Sequence, residues 1–277
     1  MNNQRWKYKR KNKNDIDRYF SDLVNFISDI YNQAKDLPDG ISRLDQLADN
    51  PDFDRLAKEA ANKIVMYQAN SNARTWREAA NKSNRGKIIY NYLKKELNQS
   101  QPFSDLIDLS ATYIKTLPRD IATRVVKKTS ELTLKGERSS SIAEQIKAYF
   151  PEASKASATL IARTQVAKTY AAITQTRAQS VGVQAYIWHT IGGPLVRDSH
   201  RHMNNVIIFY NEAPSPELLI GKRSQGYYHA GNIYNCRCYQ EPILDIDTLS
   251  WPQKVYHAGK IQRMSKKQFY KVTKIRK

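Results

Sequence analysis

Only two cysteines occur in this sequence, and a single residue separates them: Cys236-Arg237-Cys238. A disulfide between them would close a very tight, strained ring, and no third cysteine is available, so a disulfide-braced scaffold is excluded. No run approaches the roughly 18 apolar residues that cross a bilayer. The basic opening MNNQRWKYKRKNKN lacks the apolar stretch of a secretory signal, so the expectation is a soluble protein that stays in the cytosol where it is made. Apolar residues make up 40% of the 277, which is low for a compact chain of this length and suits a folded body with polar or extended parts. Also missing are a Ser-His-Asp set, a phosphate-binding glycine-rich loop and a dinucleotide fingerprint, which removes the usual sequence grounds for an enzyme.

Acidic residues are absent from both ends. Residues 1–13 carry six basic side chains and residues 254–277 carry nine, so most of the net charge of +19 lies there and the stretch between is close to neutral. Two basic arms on a near-neutral body suit contact with a polyanion, because Lys and Arg neutralise phosphates and release counterions. The candidates for sequence-independent contact with double-stranded DNA are Arg5, Lys7, Lys9, Arg10, Lys11 and Lys13 at one end, and Lys260, Arg263, Lys266, Lys267, Lys271 and Lys274 at the other. The plainer reading is a pair of solvated, disordered ends. A membrane surface is not expected, since neither arm pairs its charges with a strong apolar face.

Between the arms the pattern is first helical. Ile16, Tyr19, Phe20, Leu23, Ile27 and Ile30 repeat every three or four residues, and LPDG at 37–40 is expected to stop that helix. The stripe either packs on the next helix or docks on a partner. A second tract starts near Pro51 and runs with interruption through Trp76 to Leu97. Pro118 opens another helix that Gly136 closes; SIAE at 141–144 has the form of a capping box; Pro151 is expected to end the short helix IAEQIKAYF; and a longer helix follows from about Ala153 to Ser180. After Gly182 the character changes, with strand-prone VQAYIWHT and VIIFY and a long loop over 213–231. The fold class is α+β: a mainly helical N-terminal two thirds followed by a small irregular α+β module. The parts are a basic arm (1–13), a helical N-terminal region (14–112), a module (113–245) and a basic C-terminal tail (246–277).

The module resembles the Mu F-like minor head proteins of tailed bacteriophages, also called head morphogenesis proteins, from about Tyr113 to Pro242. The resemblance rests on LPRD, GERSSSIAEQIKAYF, IARTQ, AYIWHT, the R-D-S-H box at 197–200 and NCRC at 235–238 followed by Pro242, all in the family's order. Gln165 departs from it, since the family usually has Glu after ART. The resemblance implies a non-enzymatic minor capsid protein, associated with the portal vertex and packaged DNA and acting in head morphogenesis or DNA delivery. It also implies a location in the virion, inside the head near the portal, after assembly in the host cytoplasm, with portal protein and other head components as partners.

Both cysteines and three of the five histidines fall within residues 198–242. In an extended Cys-x-Cys segment both side chains face the same way and can reach one ion, and the intervening loop is long enough to bring His200 alongside. The candidate ligands for one structural zinc are His200, His229, Cys236 and Cys238, with His202 competing for the fourth place, and a shell closed by four protein donors points to stability. The other reading is two buried thiols beside hydrogen-bonded histidines. His189 and Trp188 are expected to pack, and His257 to be solvated in the tail. Arg197 and Arg237 flank the ligands as candidates for an acidic partner or a phosphate, and Asn235 is expected to hold the turn before Cys236. The alternative function is a metal-dependent nuclease acting on DNA, because HRHMNN beside a cysteine pair looks like a ββα-metal site. Such a site needs a second cysteine pair and an acidic partner, and only Asp198 is at hand.

Overall fold

Hydrophobic periodicity becomes helix as far as Ser180 in the computed structural model, which describes residues 13–97 and 103–275. The helices are α1 (Lys13–Asn32), α2 (Leu37–Gln46), α3 (Pro51–Ala80), α4 (Gly86–Leu97), α5 (Ser104–Ile114), α6 (Leu117–Leu134) and α7 (Ser139–Ser180). The remainder alternates strands and short helices: β1 (Ala185–His189), α8 (Asp198–His202), β2 (Val206–Phe209), β3 (Tyr239–Pro242), β4 (Gln253–His257), β5 (Lys260–Met264) and α9 (Lys266–Ile275). The α+β class holds.

The chain forms two compact units, and the long helices α3 and α7 contribute to both. The helical unit takes residues 10–67 and 103–166. Phe20, Leu23 and Ile27 of α1 lie in its core with Phe53, Ile64 and Ile121, all essentially without exposure. The apolar stripe of α1 is therefore packing and not a docking face, because these side chains have an intramolecular core to join; the side chains of Ile16 and Tyr19 lie outside the described residues. LPDG opens α2 and does not stop α1. Asp36 caps the new helix by accepting the Asp39 N–H, and Pro38 sits in its first turn, where its missing donor costs nothing.

Two further expectations for this unit fail for local reasons. α7 runs unbroken through Pro151. Proline removes one backbone hydrogen bond, but Phe150, Ala153 and Ser154 beside it are buried, so tertiary packing holds the helix on course. Ser141 is not a cap either; it lies inside α7, and its hydroxyl donates to Glu137 Oε2 one turn back.

The sheet unit takes residues 68–102 and 167–277. Its five strands are ordered β3-β1-β2-β4-β5, antiparallel throughout except for β2 beside β4, where Ile207 faces Val255. Alternation divides the side chains between two faces. Tyr186, Trp188, Val206 and Ile208 pack toward Trp76, Ile89 and Ala178 of the helices. Ala185, Ile207, Phe209 and Val255 pack on the other side with Phe269 of α9, whose ring stacks on Phe209 at 5.3 Å. Covered on both faces, β1 and β2 read as near-continuous apolar runs.

The basic C-terminal segment is thus no free tail. Its residues supply two strands of the sheet and the helix that covers one face. β4 and β5 join through Ala258 and Gly259, both at positive φ (52° and 77°), the geometry of a tight two-residue hairpin turn. The Ala258 N–H donates to Glu212 Oε1, which anchors that turn.

One polar group binds the helices of this unit. Arg177 of α7 is 2% exposed; its Nε and Nη2 donate to Glu96 of α4, while its Nη1 donates to Ala69 O and Asn72 Oδ1 of α3. Asn72 Nδ2 in turn donates to Thr174 Oγ1 at 2.7 Å. Arg177→Met strands the buried Glu96 carboxylate and is expected to cost about 3–5 kcal/mol in urea denaturation. Arg177→Met combined with Glu96→Leu is expected to recover part of that loss; equal losses in the single and double variants would refute the coupling.

Candidate metal centre

Three donors meet in the sheet unit. His200 sits in α8, and Cys236 and Cys238 lie in the extended run that leads into β3. His200 Nδ1 is 3.6 Å from Cys236 Sγ and 3.4 Å from Cys238 Sγ, and the three ligand atoms all lie within 4.8 Å of one another. All three residues are buried, at 2, 2 and 6% exposure. The expectation that Cys-x-Cys would present both sulfurs to one side beside His200 is met.

Local geometry aims the cysteines. Asn235 takes the left-handed backbone (φ 52°) that Asn tolerates better than most residues, and this reverses the chain just before Cys236. The Cys236 N–H then donates to Ile233 O, and the Cys238 N–H turns back onto Cys236 Sγ at 3.4 Å. Arg197, which the sequence offers as an anion contact, donates through Nη2 to Tyr234 O at 2.9 Å and so ties the start of α8 to the cysteine turn. Arg237 is half-buried between the two cysteines.

A second layer fixes the histidine. His200 Nε2 lies 3.0 Å from Tyr228 Oη, and the Tyr228 hydroxyl donates to Glu217 Oε1 at 2.7 Å; Ser199 Oγ donates to the same oxygen. Glu217 is 4% exposed, and its other oxygen, Oε2, has no partner among the described residues. Trp188, expected to pack, is fully buried edge-on to His200, and its indole N–H has no partner among the described residues. The two thiols titrate as a pair. The hydrogen bond from Cys238 holds Cys236 well below the ordinary thiol range, and the same bond together with burial pushes Cys238 up. Tyr228 and Glu217 escape sequence reasoning, since nothing in their spacing ties them to His200.

The fourth expected ligand is elsewhere. His229 Nε2 donates to Tyr210 O at 3.1 Å, so its Nδ1 is the acceptor for the Tyr186 hydroxyl at 3.2 Å. With both nitrogens engaged, His229 is a packed core histidine and no ligand. His202 is exposed and also apart from the cluster. His189 packs on Tyr239 and pairs with Glu241, while His257 is held by Glu212 Oε2 at 3.2 Å and is not simply solvated. The nuclease reading loses its acidic partner: Asp198 is exposed and pairs with Lys222 and Arg201, and the donor cluster contains no carboxylate of the kind a hard catalytic ion needs.

Residues 123–241 match the family described as Phage Mu protein F like protein. This segment belongs to the Mu F-like family. It holds all three donors and ends within β3, so β4, β5 and α9 complete the sheet from outside the Mu F-like segment. A Haemophilus influenzae protein named only "Uncharacterized protein" is 29% identical over 154 residues, covering 56% of this chain and 32% of that protein. The chain thus spans about a third of the length of this relative. No solved structure matches. Within the Mu F-like segment Gln165, the departure from the family's Glu, is 3% exposed, and its Nε2 has no partner among the described residues.

Of the residues expected to contact DNA, Arg5, Lys7, Lys9, Arg10 and Lys11 lie outside the described residues, as do the side chains of Lys13 and Lys274. Lys260, Arg263, Lys267 and Lys271 are exposed on β5 and α9; Lys266 is exposed but paired with Asp247 at 2.8 Å.

Burial holds His229 below the ordinary histidine value of 6.5. A depressed folded value means that the unfolded chain takes up the proton first as pH falls, so stability from neutral His229 is complete above the ordinary value and is lost as pH falls from there through the depressed one. Between about pH 7.5 and about pH 5 the thermal midpoint is expected to fall more steeply in the wild type than in His229→Gln, which has no group to titrate there. Parallel curves would show that His229 carries none of the acid sensitivity.

Proposed function

We propose that this chain is a minor head protein of a tailed phage, acting in head morphogenesis or DNA delivery, with portal protein and other head components as partners and double-stranded DNA as a sequence-independent ligand. The observation that carries the reading is the Mu F-like match over residues 123–241, which contains the buried donor cluster and most of the sheet around it. The burial of the donor set supports a non-enzymatic role, because it closes the donors to a substrate. No helix among the described residues is long and apolar enough to cross a membrane.

In this reading the C-terminal contact with DNA is a folded surface and not an arm. Lys260 and Arg263 project from the edge strand β5, and Lys267 and Lys271 from α9. A rigid surface presents its charges without the ordering entropy that an arm loses on binding, so it can follow a phosphate backbone at less cost.

Two measurements test this. Purified particles, treated with nuclease and washed, are expected to retain the chain; its absence from particles overturns the head assignment. Replacing Lys260, Arg263, Lys267 and Lys271 with Gln is expected to weaken duplex binding and to reduce the slope of log K against log salt by about 3.6, if each side chain neutralises one phosphate. Unchanged affinity and slope in a folded variant would remove this surface from the DNA contact.

A further inference from the structure

The geometry points to a mononuclear metal site of zinc type, held by His200 Nδ1, Cys236 Sγ and Cys238 Sγ and braced from behind by Tyr228 and Glu217. Hydrogen bonding fixes the histidine tautomer. Glu217 Oε1 already receives the Tyr228 hydroxyl at 2.7 Å, so Tyr228 Oη can only accept from His200 Nε2–H at 3.0 Å. In the neutral ring His200 Nδ1 then offers its lone pair. Two sulfurs converge on it, at 3.4 and 3.6 Å.

A tetrahedral ion accounts for both. Bonds of about 2.3 Å to sulfur and about 2.05 Å to nitrogen place those atoms about 3.5 Å apart. Both observed separations, 3.4 and 3.6 Å, lie within about 0.2 Å of that edge. The surroundings are those that metal-bound ligands need. His200 donates its other nitrogen to a tyrosine backed by a carboxylate, the usual way a ligating imidazole is oriented. Cys236 receives the backbone N–H of Cys238. The donor set, two sulfurs and an imidazole, selects zinc over magnesium or calcium.

The protein supplies three donors among the described residues and not four, so ligand count no longer argues for a structural ion, and a water completes the shell. Burial makes that argument instead. With every ligand 6% exposed or less, no path of substrate size reaches the ion, which cross-links α8 to a segment 36 residues away. The inference stands apart from the head assignment and survives its failure.

Full-length protein purified without chelator is expected to hold about one zinc per chain by plasma mass spectrometry. Refilling with Co²⁺ is expected to give sulfur-to-cobalt charge transfer in the near ultraviolet and the intense visible bands of a tetrahedral ion. Cys238→Ser and His200→Gln lose these bands. Tyr228→Phe keeps them but weakens binding roughly 10- to 100-fold, a change that a merely structural tyrosine would not make. Stripping the metal lowers the thermal midpoint of the wild type but not of Cys238→Ser. Wild-type protein that takes up neither metal, or that binds cobalt without thiolate charge transfer, overturns the site, and because this reading uses the unaltered chain it stands whether or not the variants fold.

Discussion

A fully buried guanidinium leaves a fold little freedom, and Arg177 sets that constraint on the sheet unit. Its donors reach Glu96, Ala69 and Asn72, so α7, α3 and α4 are held at one height and one rotation relative to each other within this unit. Buried ion pairs often give little net stability, because desolvation consumes most of the attraction. What this one provides is register. Five residues past Ser180 the chain enters the sheet at Ala185, and Arg85 Nη1 bonds Val181 O at the point where α7 gives way. A helix free to slide by a turn would carry β1 with it and move Trp188 and its antiparallel partner Val206 out of their places in the core.

From β1 onward the site is built by neighbours that are close in space and spread in sequence. Asn205 N donates to Trp188 O, and Asn204 Oδ1 accepts from Thr190, which seats α8 against the end of β1 and delivers His200 beside Trp188. β3 pairs with the other side of β1, with Trp188 opposite Gln240, and that register sets Cys238 two residues before the pair. The two halves of the donor cluster thus reach each other through one strand. Loop 211–231, which looks like a spacer in sequence, supplies Glu217 and Tyr228 as the backing for His200 and sends His229 away to Tyr210 and Tyr186.

Sequence reading succeeds where one residue type meets one local requirement. The stops at Gly136 and Gly182 are legible because only a left-handed residue ends those helices, at φ 77° and 74°. Cys-x-Cys is legible because alternation alone puts both sulfurs on one side. Failures occur where tertiary contacts decide. Pro151 reads as a stop because its cost is local and the burial that offsets it is not. His229 reads as a ligand because composition counts histidines without showing where their nitrogens point. Tyr228 and Glu217 are invisible because a hydrogen-bond relay has no spacing rule.

The basic C-terminal segment shows most plainly how charge and fold can be confused. A stretch with nine basic residues and no acid looks like a polymer that repels itself, yet its apolar residues Val255, Tyr256, Met264 and Phe269 sit where β4, β5 and α9 need them. Those four are too few and too widely spaced to raise a periodic signal against the charge, and they become core only because β2 has a face and an edge left to cover. The charges then fall on what remains exposed. β5 is an edge strand, and Lys260 and Arg263 guard it against pairing with another chain, as β3 at the opposite edge is limited by its short length and Pro242. Edge protection asks for charged side chains in these places, so the charge of this segment is compatible with its fold and its position is dictated by it.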